Sequence, residues 1–351
     1  MRGIELHLVH GQASRRESGK NDEATLPWAE KVSNRFWEIG EHDIIWQPFF
    51  ESIKGAYLIL IMQENRILSN YPLLLSRMWS PRKVAYWGHG KNFQSDAPTG
   101  LRERWKNFLL NRVDWWFAYT DVTVDILRGA GFPLERITCL DNSIDNDSFV
   151  RDLASISNKR LAELRMEINV KDGSKIGLFC GSLYPDKRLD YMIEAADKVH
   201  AEMPDFKLLV LGDGPAARQI NIAAASRGWL KYCGMRRGLE KAAYFRLADM
   251  VFNPGACGLH ILDAFCAGIP IATTVEARHG PEIAYLKDGQ NGIVISGGPE
   301  NYAGQVIKLL SESTKYQYLC SGARETASRY TLKNMVYQFA NGIERCLALQ
   351  R

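Results

Sequence analysis

The chain has 351 residues, enough for two domains of ordinary size with a substantial core in each. Hydrophobic residues make up 46% and charged residues 24%, the balance of a globular protein in water. A net charge of +4 is too mild to argue for nucleic acid, although it suits a diphosphate or an anionic membrane surface. The seven cysteines are scattered and none falls in a CxxC pair, so zinc spacing and a disulfide framework both lack support and a reducing, cytoplasmic setting is expected. No apolar run approaches the ~18 residues of a membrane-spanning helix, and no signal peptide is read at the N-terminus.

In chain order, strands are expected at residues 4–11, 43–50, 56–62, 83–90, 115–120 and 137–142, and helices around 28–38, 66–79, 100–113 and 122–129. Apolar runs separated by helical periods favour a parallel sheet covered on both faces. The polar stretch 145–174, with a helix over 157–168 and a Lys-Asp-Gly turn, reads as a connection. From Lys175 a second strand–helix series begins. The division is an N-terminal domain over 1–150, a linker over 151–174, a second domain over 175–328 and a last segment, 329–351, holding a helix over 332–349. Residues 102–116 mix basic and aromatic side chains at helical spacing. They fit a membrane surface or an ordinary amphipathic helix on the sheet, and the second reading is preferred.

The most informative segment is NPGACGLHILDAFCAGIP, residues 253–270. An apolar strand enters a Pro-Gly turn, and a small-residue loop opens a helix at Gly258 and Leu259. Free amides and the positive end of the helix dipole then face one point, which makes an anion site, and Gly258 lets a phosphate approach the backbone. Asp263 follows about one and a half turns into the helix, within reach of a sugar hydroxyl beside that phosphate. The competing reading is an ordinary junction in an α/β protein.

Four pieces in order around this segment resemble the donor-binding half of the GT-B glycosyltransferases, specifically the large retaining family 4. They are IGLFCGSLYPDKRLDYMIEAA (176–196), KLLVLGDGP (207–215), YCGMRRGLEKAAYFRLADMVFNPG (232–255) and HGPEIAYLKDGQNGIVI (279–295). The resemblance implies an α/β GT-B fold of two Rossmann-like domains facing each other across a cleft, with the last helix crossing back onto the first domain. It implies transfer of a sugar, with retention and without a metal or other cofactor, from a UDP- or GDP-sugar to a saccharide or lipid-linked saccharide, and peripheral membrane association. Donor-binding roles fall on Gly181, Ser182, Lys187, Arg188, Gly212, Cys233, Gly234, Met235, Gly258, Leu259, His260 and Asp263. Lys187 is the expected cation on the diphosphate, with Arg188 in reserve. His89, at a strand end of the first domain, is expected to position the transferred sugar, because the donor phosphate can itself take the acceptor proton. His279 and Glu282 are candidate sugar contacts.

The sequence departs from the family pattern at several places. Where the family has Glu, seven residues, then Glu, this chain has Gly255 and Asp263, and the common Arg after the first glycine is Ser182. Residues 4–11 fit the family's second strand, with the first unit missing, or its first strand followed by the polar loop 10–22; the former is preferred. A nucleotide-sugar-binding protein without transfer, or a GT-B sugar-nucleotide epimerase, are the alternatives. Asp145-Asn146-Asp147 has the form of a metal site and is expected to be a solvated turn. Gly212-Asp213-Gly214 lacks the third glycine of a dinucleotide fingerprint.

Overall fold

The computed structural model describes residues 3–15, 26–40, 42–91 and 101–350. They divide into two compact units, one of residues up to Asp141 together with those from Val336 onward, the other Asn142–Met335. Most of the polar loop 10–22 lies outside the described residues.

In the first unit the chain forms β1 (Val9–Gly11), β2 (Glu30–Val32), β3 (Arg35–Ile39), β4 (His42–Trp46), β5 (Leu58–Met62), α1 (Asn70–Ser76), β6 (Lys83–Gly88), α2 (Leu101–Leu110), β7 (Trp115–Ala118), α3 (Asp121–Gly129) and β8 (Ile137–Cys139). Strands β5 to β8 make a parallel sheet in sequence order. Along β7 the side chains alternate between its two faces. Trp116 and Ala118 join Ile59, Val84, Tyr86 and Leu127 in one core. On the other face Phe117 stacks on Phe339 at 4.6 Å, and Trp115 lies under the Arg345 guanidinium at 5.0 Å. Phe339 and Arg345 belong to the last helix, α12 (Leu332–Ala348), whose residues from Val336 count with this unit.

Three expectations for this unit are corrected. The helix expected at 28–38 is instead β2 and β3: the helix-like spacing of Trp28, Val32 and Phe36 is overridden by strand partners on either side. β2 pairs in parallel with β1, and β3 pairs antiparallel with β4. The Gln12 side chain fixes the link between β2 and β3, accepting from the Asn34 amide at 2.8 Å and donating to its carbonyl at 2.9 Å. Residues 4–11 and 43–50 are therefore not strands of the main sheet; the parts that pair form separate two-stranded ribbons.

The second unit contains α4 (Asn146–Ser155), α5 (Asn158–Glu167), β9 (Ile176–Cys180), α6 (Leu189–Glu202), β10 (Lys207–Leu211), α7 (Ala217–Ala225), β11 (Leu230–Gly234), α8 (Gly238–Leu247), β12 (Met250–Phe252), α9 (His260–Ala267), β13 (Ile271–Thr274), β14 (Gly292–Ile295), α10 (Pro299–Ser311) and α11 (Ser313–Arg329). Its six strands are all parallel in the order β11-β10-β9-β12-β13-β14. Successive residues of these strands feed two cores, Leu178, Leu209 and Val251 on one face and Phe179, Val210 and Phe252 on the other. The order reverses between β9 and β12, and a crevice outside the carboxyl ends of strands at such a point is where ligands bind in open α/β sheets.

The stretch 151–174 is not a linker. It holds the second half of α4 and all of α5, and Leu153, Leu164, Ile168 and Val170 are buried in the second unit's core. The Asp145–147 triplet is likewise a helix start and not a solvated turn. Asp145 caps α4 by accepting from the Ser148 amide at 2.9 Å, and Asn146 is buried, donating to the Tyr330 carbonyl at 2.8 Å. All seven cysteines are free thiols, and no described helix is long and apolar enough to cross a membrane.

Gly342 lets α12 lie close to the sheet, since a Cβ there would stand 2.5 Å from both the Phe117 ring and the Thr138 hydroxyl. Gly342→Ala should therefore destabilise the protein by about 1–3 kcal/mol through overpacking. Gly304→Ala in α10, where a Cβ meets open space, should stabilise it by about 0.5–1 kcal/mol. Urea unfolding of the two variants checks the opposite signs.

Candidate functional site

Two loops meet at the reversal point. The first leaves β9 through Gly181 and Ser182, makes a 3-10 turn at Pro185–Lys187, and enters α6 from Arg188, whose φ of +52° is left-handed. The second leaves β12 at Asn253 and runs through Pro254, Gly255, Ala256 and Cys257 to α9. The loops are pressed together. The Ala256 amide donates to the Asp186 carbonyl at 2.9 Å, and the Lys187 ammonium donates to the Ala256 carbonyl. A Cβ on Gly255 would stand 2.3 Å from the Lys187 carbonyl, so no side chain fits there.

Strand β13 and the loop after it tether the second loop from behind. Thr274 Oγ1 donates to the Pro254 carbonyl at 2.7 Å and accepts from Arg188 Nη1 at 2.6 Å. His279 Nδ1 accepts from the Cys257 amide at 3.2 Å while Nε2 faces the Thr274 carbonyl at 2.7 Å. An acceptor Nδ1 places the proton on Nε2. Burial holds the His279 pKa down; the Thr274 carbonyl opposes this, and Lys187 and Arg188 add to it. His279, expected as a sugar contact, thus spends both ring nitrogens on the backbone.

The amides of Gly258, Leu259 and His260, expected to face an anion, make no hydrogen bond among the described residues. The carbonyls of Gly258 and Leu259 are already engaged, accepting from Ile261 and Leu262. A Cβ on Gly258 would meet only the His260 ring, at 4.0 Å, so this face of the loop is open. His260 Nε2 lies 3.1 Å from Asn253 Nδ2, and its pKa is held well below the ordinary value by burial and by Lys187, Lys241 and His279. Gly268, in the left-handed region, ends the helix.

Lys187 is 5% exposed, and its ammonium lies 5.5 Å above the Tyr184 ring. Burial lowers its pKa, against the pull of Cys257, Asp186, Cys180 and Glu282. Among the described residues it makes no ion pair, only the hydrogen bond to the Ala256 carbonyl. A buried cation with one neutral partner is an incomplete arrangement that an anion would complete. A Cβ on Gly181 would stand 4.0 Å from Nζ, the direction from which a ligand could approach.

Gly212 and Gly214 serve packing: Cβ atoms there would come within 1.9 Å of the Gly181 carbonyl and 2.6 Å of the Leu183 carbonyl. The Gly212 amide donates to Gly234, whose φ is +66°. Cys233 is buried in the core, and Met235 and Ser182 are exposed. Glu282 is buried, which raises its pKa, and its carboxylate packs on Gly280.

Asp263 is 4% exposed, and its Oδ1 accepts from Lys241 Nζ at 3.0 Å. Burial raises its pKa and Lys241 pulls it back. The carboxylate expected to meet a ribose already has a partner in α8. Nothing in the spacing of GLEKAAYFRL singles out Lys241; the signal was the buried acid, which needed a cation.

His89 belongs to the first unit, described by itself. It follows β6 and meets the Tyr119 ring edge-on at 4.2 Å. Gln63 fixes the next residue, donating to the Gly90 carbonyl at 3.1 Å and accepting from its amide at 3.0 Å. Sequence reasoning missed Gln63, whose place at the end of β5 becomes informative only once β5 and β6 are paired.

Residues 174–312, most of the six-stranded unit, match the family described as Glycosyl transferases group 1. The fold is that of the GT-B glycosyltransferases. HepE from Anabaena, solved with UDP, superposes with a TM-score of 0.66 at 18% identity, covering 84% of this chain and 80% of that one. WaaG, described as involved in lipopolysaccharide biosynthesis, gives 0.61 at 17% identity, covering 92% and 88%. Among curated proteins, the alpha-monoglucosyldiacylglycerol synthase of Acholeplasma laidlawii is 21% identical, over 47% of this chain and 42% of its own length. The D-inositol 3-phosphate glycosyltransferase of Thermobispora bispora is 24% identical, over 61% and 52%. The chain spans about half the length of the curated relatives it matches.

Lys241→Met should cost up to about 3–5 kcal/mol, because it strands a buried carboxylate. Without Lys241 the folded-state pKa of Asp263 rises further above 3.8, so the folded state holds a proton that the unfolded state has lost. The deficit therefore grows as pH rises from about 4 and shrinks below it, and Asp263→Asn in the same chain recovers part of it. Urea unfolding at acidic and neutral pH checks both statements.

Proposed function

We propose that the protein transfers a sugar from a nucleoside diphosphate sugar, UDP- or GDP-linked, to a saccharide or lipid-linked saccharide. The observation that carries this reading is the trio of unengaged amides at Gly258, Leu259 and His260 beside the buried Lys187 ammonium. Such an arrangement meets the charge that grows on a diphosphate as its bond to the sugar breaks. The resemblance of 174–312 to group 1 glycosyl transferases and the UDP-bound likeness support the same ligand class.

In this reading the bond from the anomeric carbon to the diphosphate oxygen breaks and a bond to the acceptor oxygen forms on the same face, with retention. The acceptor's proton passes to the departing diphosphate, so no side-chain base is required. Lys187 and Arg188 supply the positive charge, in place of a metal ion. The Cys233–Met235 loop meets the base through its backbone, and His89 positions the sugar. Seven free thiols fit a reducing, cytoplasmic compartment. Binding without transfer is a second reading, favoured by Gly255, which leaves no acid where the family carries one.

Thermal shift with UDP and GDP tests donor binding, since a ligand held at 100 times its Kd adds about 2.7 kcal/mol to stability. Lys187→Ala should remove most of the shift and lower turnover by about 10²–10³-fold. Binding should weaken as pH rises past the lowered pKa of Lys187, below the 10.5 of an ordinary lysine, and Lys187→Met should be flat over that range. A strong shift with no sugar released from any donor would select the binding protein.

A further inference from the structure

We infer that Lys241 keeps the donor site from reading the 2′-hydroxyl of ribose, so that 2′-deoxynucleoside diphosphates bind there as readily as nucleoside diphosphates. The inference rests on the donor site proposed above and names the nucleotide class which that site admits.

Asp263 lies in the first turn of α9, the helix whose opening amides form the proposed anion seat. An unengaged carboxylate there would accept from a ribose hydroxyl, and a site that reads a hydroxyl rejects the analogue lacking it. This carboxylate is engaged. Its Oδ1 accepts from Lys241 Nζ at 3.0 Å, and the acid's side chain is 5% exposed. Helix α8 brings the cation to it. The Lys241 ammonium also lies 4.7 Å from the Phe149 ring centroid, and Phe149 meets Phe245 of α8 edge-on at 5.4 Å. Both rings are buried in the second unit's core, so the face on which the ammonium rests is fixed by packing.

Two thiols lie within reach of the same acid. Cys180 at the end of β9 and Cys266 in α9 are both pushed up to about 12, first by burial and then by the Asp263 charge. The acid therefore sits among the unit's own side chains, with its charge already met by Lys241. Magnitudes decide which partner it keeps. Separating a buried carboxylate from its cation costs more than a hydroxyl's hydrogen bond to a charged group returns. Ribose therefore does not draw Asp263 away from Lys241. Two further carboxylates beyond the strand ends are held by backbone amides. Asp213 Oδ1 accepts from Gly214 at 2.8 Å, and Glu276 Oε1 accepts from Gly297 at 2.7 Å.

Isothermal titration of the full chain with UDP and GDP, and with the 2′-deoxy form of each, tests this. The Kd of a deoxy form is expected within about threefold of its parent's. Lys241→Ala, which opens the side of Asp263 that the ammonium holds, should bring a preference for the ribonucleotide of about tenfold or more. The wild-type comparison decides the matter by itself where that variant does not fold. A wild-type preference of about tenfold or more for the ribonucleotide overturns the inference and leaves the donor site standing. An unchanged ratio in folded Lys241→Ala also overturns it, because Lys241 then sets no preference. If none of the four nucleotides binds, the donor reading itself fails and the inference falls with it.

Discussion

The contact on which the rest depends is the seating of the 253–258 loop on the 185–188 turn. Gly255 lies against the Lys187 backbone, the Ala256 amide reaches Asp186, and the Lys187 ammonium reaches the Ala256 carbonyl. These contacts set the direction in which α9 begins, and so where its first amides point. They also bring the buried cation alongside. The seating is possible because β9 and β12 are neighbours at the point where the sheet reverses its order.

The titratable groups around this seat are arranged to leave positive charge uncompensated. His260 and His279 are both held toward the neutral form, Glu282 toward the protonated form, and Asp263 is taken up by Lys241. What remains is the Lys187 ammonium and the dipole of α9, while the Arg188 guanidinium lies 4.0 Å from the Glu276 carboxylate. The carboxylate that faces this charge is Glu276, whose pKa is lowered chiefly by hydrogen bonds to the Gly297 and Glu276 backbone and further by Arg188. The Ala256 carbonyl and the Tyr184 ring offset part of the cost of burying Lys187.

Much of the second unit was legible in the sequence because its strands are short apolar runs with glycines at their ends, and its loops are short. Residues 253–270 could be read as strand, loop and capped helix from Gly255, Gly258 and Gly268 alone. What stayed hidden were partners distant in sequence. Lys241 sits at an unremarked helical position and Gln63 just past the end of a strand, and only tertiary pairing reveals them. The first unit was read less well, because Trp28, Val32 and Phe36 repeat at helical spacing while their strand partners lie elsewhere. Residues 151–174 looked like a connection because polar residues dominate, yet Leu153, Leu164 and Ile168 are enough to anchor two helices. Donor, acceptor and residue roles came from family resemblance, not from spacing.

The snug fit at Gly255 also bears on how such a chain can change over generations. An acid introduced at that position by one codon change meets the Lys187 main chain before it can reach any ligand. Accommodating an acid there therefore requires the 185–188 turn to be remodelled as well. Position 255 is in effect locked by its neighbour, and a side chain there must travel with a second, compensating change.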